Sequence, residues 1–255
     1  MKQPLSHYRT GAAGGFTLVE LSVVLVVIGC LTWAVSSAYG SMIAMGDRNR
    51  ATQTGEVLKD AVRSFALRNG RLPCPDTKGN GWEGLVGDSC PAEVQAGWFP
   101  YYSLQLDLPA PALHALYAVY RNVSAPGNAD LVLSMERTGD LPGTPGYNDT
   151  RDFMAALQYA ATATQTPTSN HAYLTGDDGT EGIVNCADNV RSNPAYFVVL
   201  PLTDRGATGV RFDPPNVLGS LCAFSPGTAI KNTRDDVVAA DSLASLTGWL
   251  GARAP

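Results

Sequence analysis

The stretch FTLVELSVVLVVIGCLTWAVSSAYGSMIAMG, from Phe16 to Gly46, decides how the rest of the chain is read. From Leu21 to Gly46 it holds 26 residues without a charge and without a proline. About 20 apolar residues rising roughly 1.5 Å each cross the hydrocarbon core of a bilayer, so the run predicts a transmembrane helix. Lys2 and Arg9 precede it, and Asp47, Arg48 and Arg50 follow. This bias places the N-terminus in the cytoplasm and the body outside it, as a single-pass protein.

Two features separate this run from a cleaved secretory signal, in which small residues follow the apolar core. Here Gly11, Ala12, Ala13, Gly14 and Gly15 come first, so a cut among them keeps the anchor. The second feature is Glu20, the lone acid at the start of the greasy segment. A carboxylate in hydrocarbon costs several kcal/mol unless it finds a partner. An amine freed at Phe16 would lie one helical turn away in the same chain, or beside Glu20 of a neighbouring helix. The alternative is a carboxylate that snorkels to the membrane surface and does nothing specific.

Gly15-Phe16-Thr17-Leu18-Val19-Glu20-Leu21 resembles the processing site of type IV prepilins and type II secretion pseudopilins. The resemblance implies that a prepilin peptidase cuts after Gly15 and methylates the Phe16 amine. It implies that Glu20 recruits the subunit to a growing filament by pairing with a neighbour's Phe16 amine. The implied partners are other pilin or pseudopilin subunits and the assembly platform. The implied location is the bacterial inner membrane, with a head in the periplasm or on an extracellular filament. Many members of this family carry a proline in the middle of the anchor, and this chain has only Gly29 there as a weak point.

Outward from the anchor, Val57, Leu58, Ala61, Val62, Phe65 and Ala66 recur at helical steps. Asn69-Gly70 and then Pro73 signal the stop. A helix from Phe16 to about Leu67 would run roughly 75–80 Å, with Gly46 and Gly55 as its expected breaks. The expected organisation is a leader at 1–15, a membrane or filament-core helix at 16–45, its amphipathic continuation at 46–69, and a head at 70–255.

In the head, Leu116 to Val123 alternates, Leu131 to Met135 is apolar, and Tyr196 to Leu200 reads as a buried strand. Turn signals at Pro126-Gly127, Pro142-Gly143 and Asn193-Pro194 separate these runs. Asp152 to Ala163 predicts a helix, and Thr162 to Ser169 a loop. The fold class is therefore α+β, with a long helix packed on an antiparallel sheet, and the resemblance implies that this arrangement is pilin-like. Leu72-Pro73-Cys74-Pro75-Asp76, Cys90, Gly97-Trp98-Phe99-Pro100 and Asp235-Asp236-Val237-Val238 are similar to a group of large pilin-like proteins.

Cys74, Cys90, Cys186 and Cys222 lie in the segment expected outside the cytoplasm, while Cys30 lies in the anchor. Oxidation there gives two bridges. Pairing of sequence neighbours, Cys74 with Cys90 and Cys186 with Cys222, closes the shortest loops. Unpaired thiols or a zinc site are the alternatives, although no C-x-x-C spacing is present. Two calcium sets also present themselves. Asp76, Asn80 and Gly81 follow the start of a calcium loop, but Lys78 stands at a ligand position and Gly87 where a bidentate acid belongs. A plain turn is the alternative there. Asp177, Asp178 and Glu181, spaced by glycines, form a denser carboxylate set that could bind calcium, with a solvated acidic turn as the alternative; no cofactor is expected beyond these two calcium candidates.

Without the leader the chain carries 16 basic and 23 acidic side chains, which argues against a nucleic-acid partner. No nucleophile, metalloprotease or phosphate-loop motif occurs, so an enzyme is not expected. His114 reads as packed or interfacial, and Trp82, Trp98, Phe99, Tyr101 and Tyr102 as core, with a ligand or partner surface as the alternative. The functional expectation is a minor pilin or pseudopilin; the alternative is a binding or adhesion module displayed on the filament.

Overall fold

The structure is a computed structural model that describes residues 17–124, 127–139, 148–163, 171–176, 190–205, 209–228 and 234–253. The chain divides into two compact units, Met1–Gly46 and Asp47–Pro255. It is a mixed helix-and-sheet fold with an apolar N-terminal helix and an antiparallel sheet.

Helix α1 spans Leu18–Asn69. In the first unit, Leu18–Ser36 has a mean hydropathy of 2.4 and is long and apolar enough to cross a membrane. Its polar side chains turn back on their own helix. Ser22 Oγ donates to the Val19 carbonyl at 2.8 Å, and Thr32 Oγ1 to the Ile28 carbonyl at 2.9 Å. Hydroxyls bonded in this way need no water, which lowers the cost of placing them in lipid.

In the second unit α1 buries Ala51, Gly55, Leu58, Val62, Phe65 and Ala66, a stripe at three- and four-residue steps. Val57, expected on this stripe, is 56% exposed, one position off the packed face. Neither Gly46 nor Gly55 breaks the helix. A Cβ on Gly55 would stand 3.1 Å from Ala239 Cβ and 3.2 Å from Leu200 Cδ1, so the missing side chain lets helix and sheet approach. The stop falls where expected. Gly70 takes φ +60, and Asn69 Nδ2 donates to the Phe65 carbonyl at 2.8 Å.

The main sheet has the order β1-β2-β5-β7 and is antiparallel throughout. Its strands are β1 (Ala96–Trp98), β2 (Leu116–Val119), β5 (Pro194–Leu200) and β7 (Val237–Ser242). Because side chains alternate along a strand, the sheet feeds two cores. Tyr117, Val119, Tyr196, Val198 and Leu200 join α1 and the helices α2 (Thr150–Thr162) and α3 (Leu243–Gly251). Leu116, Ala118, Phe197 and Val199 face the other way, onto Ala172, Leu174, Phe212 and Ala223. That second layer contains a small sheet, β4-β3-β6, built from Val190–Ser192, Tyr173–Thr175 and Cys222–Phe224.

The expected strand at Leu131–Met135 is not formed. Leu131 and Val132 are buried as irregular chain, held when the Leu72 N–H donates to the Leu131 carbonyl at 2.7 Å. The run at Leu116 ends as a strand at Val119, short of Val123, where it meets the Tyr120 to Asn122 connection. Helix α2 starts with a capping box between Asp149 and Asp152. Most of the expected loop at Thr162–Ser169, and the Pro142-Gly143 turn, lie outside the described residues.

Candidate functional site

The start of α1 is built by two side chains. Thr17 N donates to Glu20 Oε2 at 2.8 Å, Thr17 Oγ1 donates to the same oxygen at 3.0 Å, and Glu20 N donates to Thr17 Oγ1 at 3.3 Å. This is a capping box that satisfies two of the N–H groups every helix start leaves open. Glu20 is thus oriented by its own helix, a local role not weighed in the sequence. Both Thr17 bonds fall on Oε2, and Oε1 takes no hydrogen bond from the described residues. Gly15 and Phe16 lie outside the described residues.

In the head, Cys74 and Cys90 form a disulfide with a Cα–Cα distance of 5.7 Å and a sequence separation of 16. Arg121 anchors the Cys90 side of this loop: it pairs with Asp130 at 2.7 Å, reaches Cys90 Sγ at 3.4 Å and donates to the Val94 carbonyl at 2.9 Å. Cys222 is also disulfide-bonded, while its expected partner Cys186 lies outside the described residues. Cys30 is free and exposed.

Asp76 and Asn80 build a turn. Asp76 is buried, and its carboxylate accepts the N–H groups of Lys78 at 2.8 Å, Gly79 at 2.9 Å and Gly81 at 2.6 Å. Asn80 Oδ1 accepts from Trp82 N at 3.1 Å. Three N–H donors gathered on one carboxylate hold the turn. The second calcium set, Asp177, Asp178 and Glu181, lies outside the described residues.

Three other carboxylates, not singled out as a site in the sequence, meet in the head. Ligand oxygens of Asp213, Asp235 and Asp236 lie within 4.8 Å of one another. Asp213 Oδ1 accepts from Arg205 N at 3.0 Å and Oδ2 from Asp235 N at 3.0 Å. Asp235 Oδ1 accepts from Thr203 N at 3.1 Å, and Oδ2 from Thr203 Oγ1 and from Arg205 Nε. Asp236 Oδ2 accepts from Asp213 N at 2.8 Å and Asn216 Nδ2 at 3.1 Å. Among the described residues, five of the six oxygens accept from protein donors, and Asp236 Oδ1 is buried without a partner. These bonds tie the three acids to the backbone of the 203–205, 213–216 and 234–236 segments. Burial and the negative charges of Asp213 and Asp235 push the Asp236 carboxyl up to about 7, against the opposing bonds from Asp213 N and Asn216. A cleft of about 250 Å³ opens beside it, lined by Arg48, Thr52 and Glu56 of α1 and by Phe224, Arg234 and Asp236.

The aromatic stretch splits. Phe99 and Tyr101 are core, and His114 is buried with Nε2 3.1 Å from the Pro109 carbonyl and its ring edge-on to Trp98. Trp82 and Tyr102, expected in the core, are 57% and 42% exposed and lean on each other with ring centroids 5.4 Å apart. No protein-family model, curated protein or solved structure matches this chain.

Proposed function

We propose that the chain is a filament subunit of the type IV pilin kind, a minor pilin or pseudopilin. Peptidase cleavage after Gly15 exposes the Phe16 amine for methylation, and the apolar half of α1 holds the subunit in the inner membrane until assembly. The head is carried outside the cytoplasm. The single observation that supports this most is the start of α1, where an apolar helix begins with a capped carboxylate whose other oxygen takes no hydrogen bond from the described residues. That oxygen is where an amine of a neighbouring subunit would bind with a charge-assisted bond. Mass spectrometry of protein from cells containing the peptidase tests the reading: the expected N-terminus is N-methylated Phe16, and an intact leader there would defeat it. A second reading, a binding head displayed on the same filament, is favoured by the exposed pair Trp82 and Tyr102, because Trp and Tyr are enriched at contact hot spots. Loss of surface adhesion on Trp82→Ala with unchanged filament assembly would select it.

A further inference from the structure

Asp236 grips both ends of the Asp213–Asn216 turn through one oxygen, while its other oxygen lies buried without a donor among the described residues. Asp213 and Asp235 cross-link Thr203, Arg205 and the start of β7 in the same place. Arg205 pairs with Asp235 at 2.7 Å and stands 36% exposed; Arg211 donates to the Leu202 carbonyl, and Arg234 stacks over Phe224 at 3.8 Å. From α1, Arg48 and Glu56 face the adjoining cleft with opposite signs. Asp204, beside the knot in sequence, accepts from Gly209 N. With all three acids ionised, Asp236 would hold its charge against two like charges and with one oxygen unsolvated.

We propose that the Asp213, Asp235 and Asp236 cluster is a proton-operated latch, in which a proton held on Asp236 keeps the 203–205, 213–216 and 234–238 segments tied together and its release loosens this flank of the head. The neutral carboxyl still accepts from Asp213 N and Asn216 Nδ2 through Oδ2, while Oδ1 carries the proton. On ionisation the proton leaves to water in the cleft, and repulsion from Asp213 and Asp235 acts on the start of β7 and on the cleft wall opposite Arg48, Thr52 and Glu56.

The sign follows from the raised proton affinity of the folded state. Stability from Asp236 is complete below the ordinary Asp range and is lost as the pH climbs through about 7. Between pH 5 and pH 8 the opening equilibrium of this flank should rise on the order of a hundredfold. Full-length protein in detergent micelles provides the test. The expected result is an infrared carboxyl C=O band that persists at pH 6 and vanishes with a midpoint near 7. Amide exchange in 203–205, 209–216 and 234–238, corrected for its intrinsic pH dependence, should accelerate roughly 10- to 100-fold over the same range. Asp236→Asn should lack both changes. Should that variant fail to accumulate, the wild-type protein still decides. No carboxyl titrating above pH 6, or exchange in these segments that ignores the titration, overturns the latch.

Discussion

Asp76 does with one carboxylate what a bound cation does elsewhere: it gathers the N–H groups of Lys78, Gly79 and Gly81 and so fixes the loop that the Cys74–Cys90 bridge closes. Each bond to a charged acceptor contributes about 1.5–3 kcal/mol, and a buried donor left open costs about 1–3. Asp76→Ala should therefore lower stability by at least about 3 kcal/mol in urea titration, and added calcium should restore none of it. A loss below 1 kcal/mol would show that water replaces the carboxylate. Gly97 meets the same loop from the other side. A Cβ there would stand 2.6 Å from the Asp76 carbonyl oxygen, in the bridge where Trp98 and Asp76 exchange N–H bonds at 2.8 and 2.9 Å. Gly97→Ala must push backbone against backbone. It should cost several kcal/mol by the same titration, where a Gly→Ala change in an open strand gains.

At the scale of the element, the start of α1 separates two jobs of Glu20. A glutamine at that position completes a capping box as a glutamate does, but carries no charge for an amine. Glu20→Gln should thus leave amide exchange of residues 18–21 within about twofold of wild type in micelles, while incorporation into filaments falls sharply. Thr17→Val gives the converse local effect, about 1 kcal/mol off the first turn or roughly fivefold faster exchange. Equal assembly of Glu20→Gln and wild type would remove the charge from the proposed joint. The helix itself was legible because its signals are long and periodic: an uncharged run, then Leu58, Val62, Phe65 and Ala66 on one face, then Asn69-Gly70. Gly55 was misread as a break because sequence alone does not show that Ala239 and Leu200 press on it. Leu131 to Met135 misled in the opposite sense, since a short apolar run fits buried irregular chain as well as a strand. The three-residue strands β1, β3, β4 and β6 were too short to alternate visibly. The acid knot joins Asp213 to partners 22 and 23 positions away, a pairing that no local pattern encodes.

For the head as a whole, the consequence of a sheet covered on both faces is mechanical coupling between the two cores. Strand β5 supplies Tyr196, Val198 and Leu200 to one and Phe197 and Val199 to the other, and each of these residues is less than a tenth exposed. The helical layer is pinned to the sheet by Arg63, whose Nε and Nη2 reach Asp241 of β7 at 2.7 and 3.1 Å, with the Tyr196 hydroxyl donating to the Lys59 carbonyl at 3.1 Å. Neither core can lose its share of β5 without exposing the other, so the two should melt together. Two tryptophans report on them separately. Trp98 packs against the second core, beside Phe212, and Trp249 packs against the first, beside Arg63 and Arg253. In proteins keeping only one of these tryptophans, fluorescence melting should give the same midpoint, and Phe197→Ala should lower both midpoints equally by removing about 3–5 kcal/mol from the second core. If Phe197→Ala shifts the Trp98 transition while the Trp249 transition stays in place, the small sheet and its core form an independent layer, and β5 is a shared border without being a shared load.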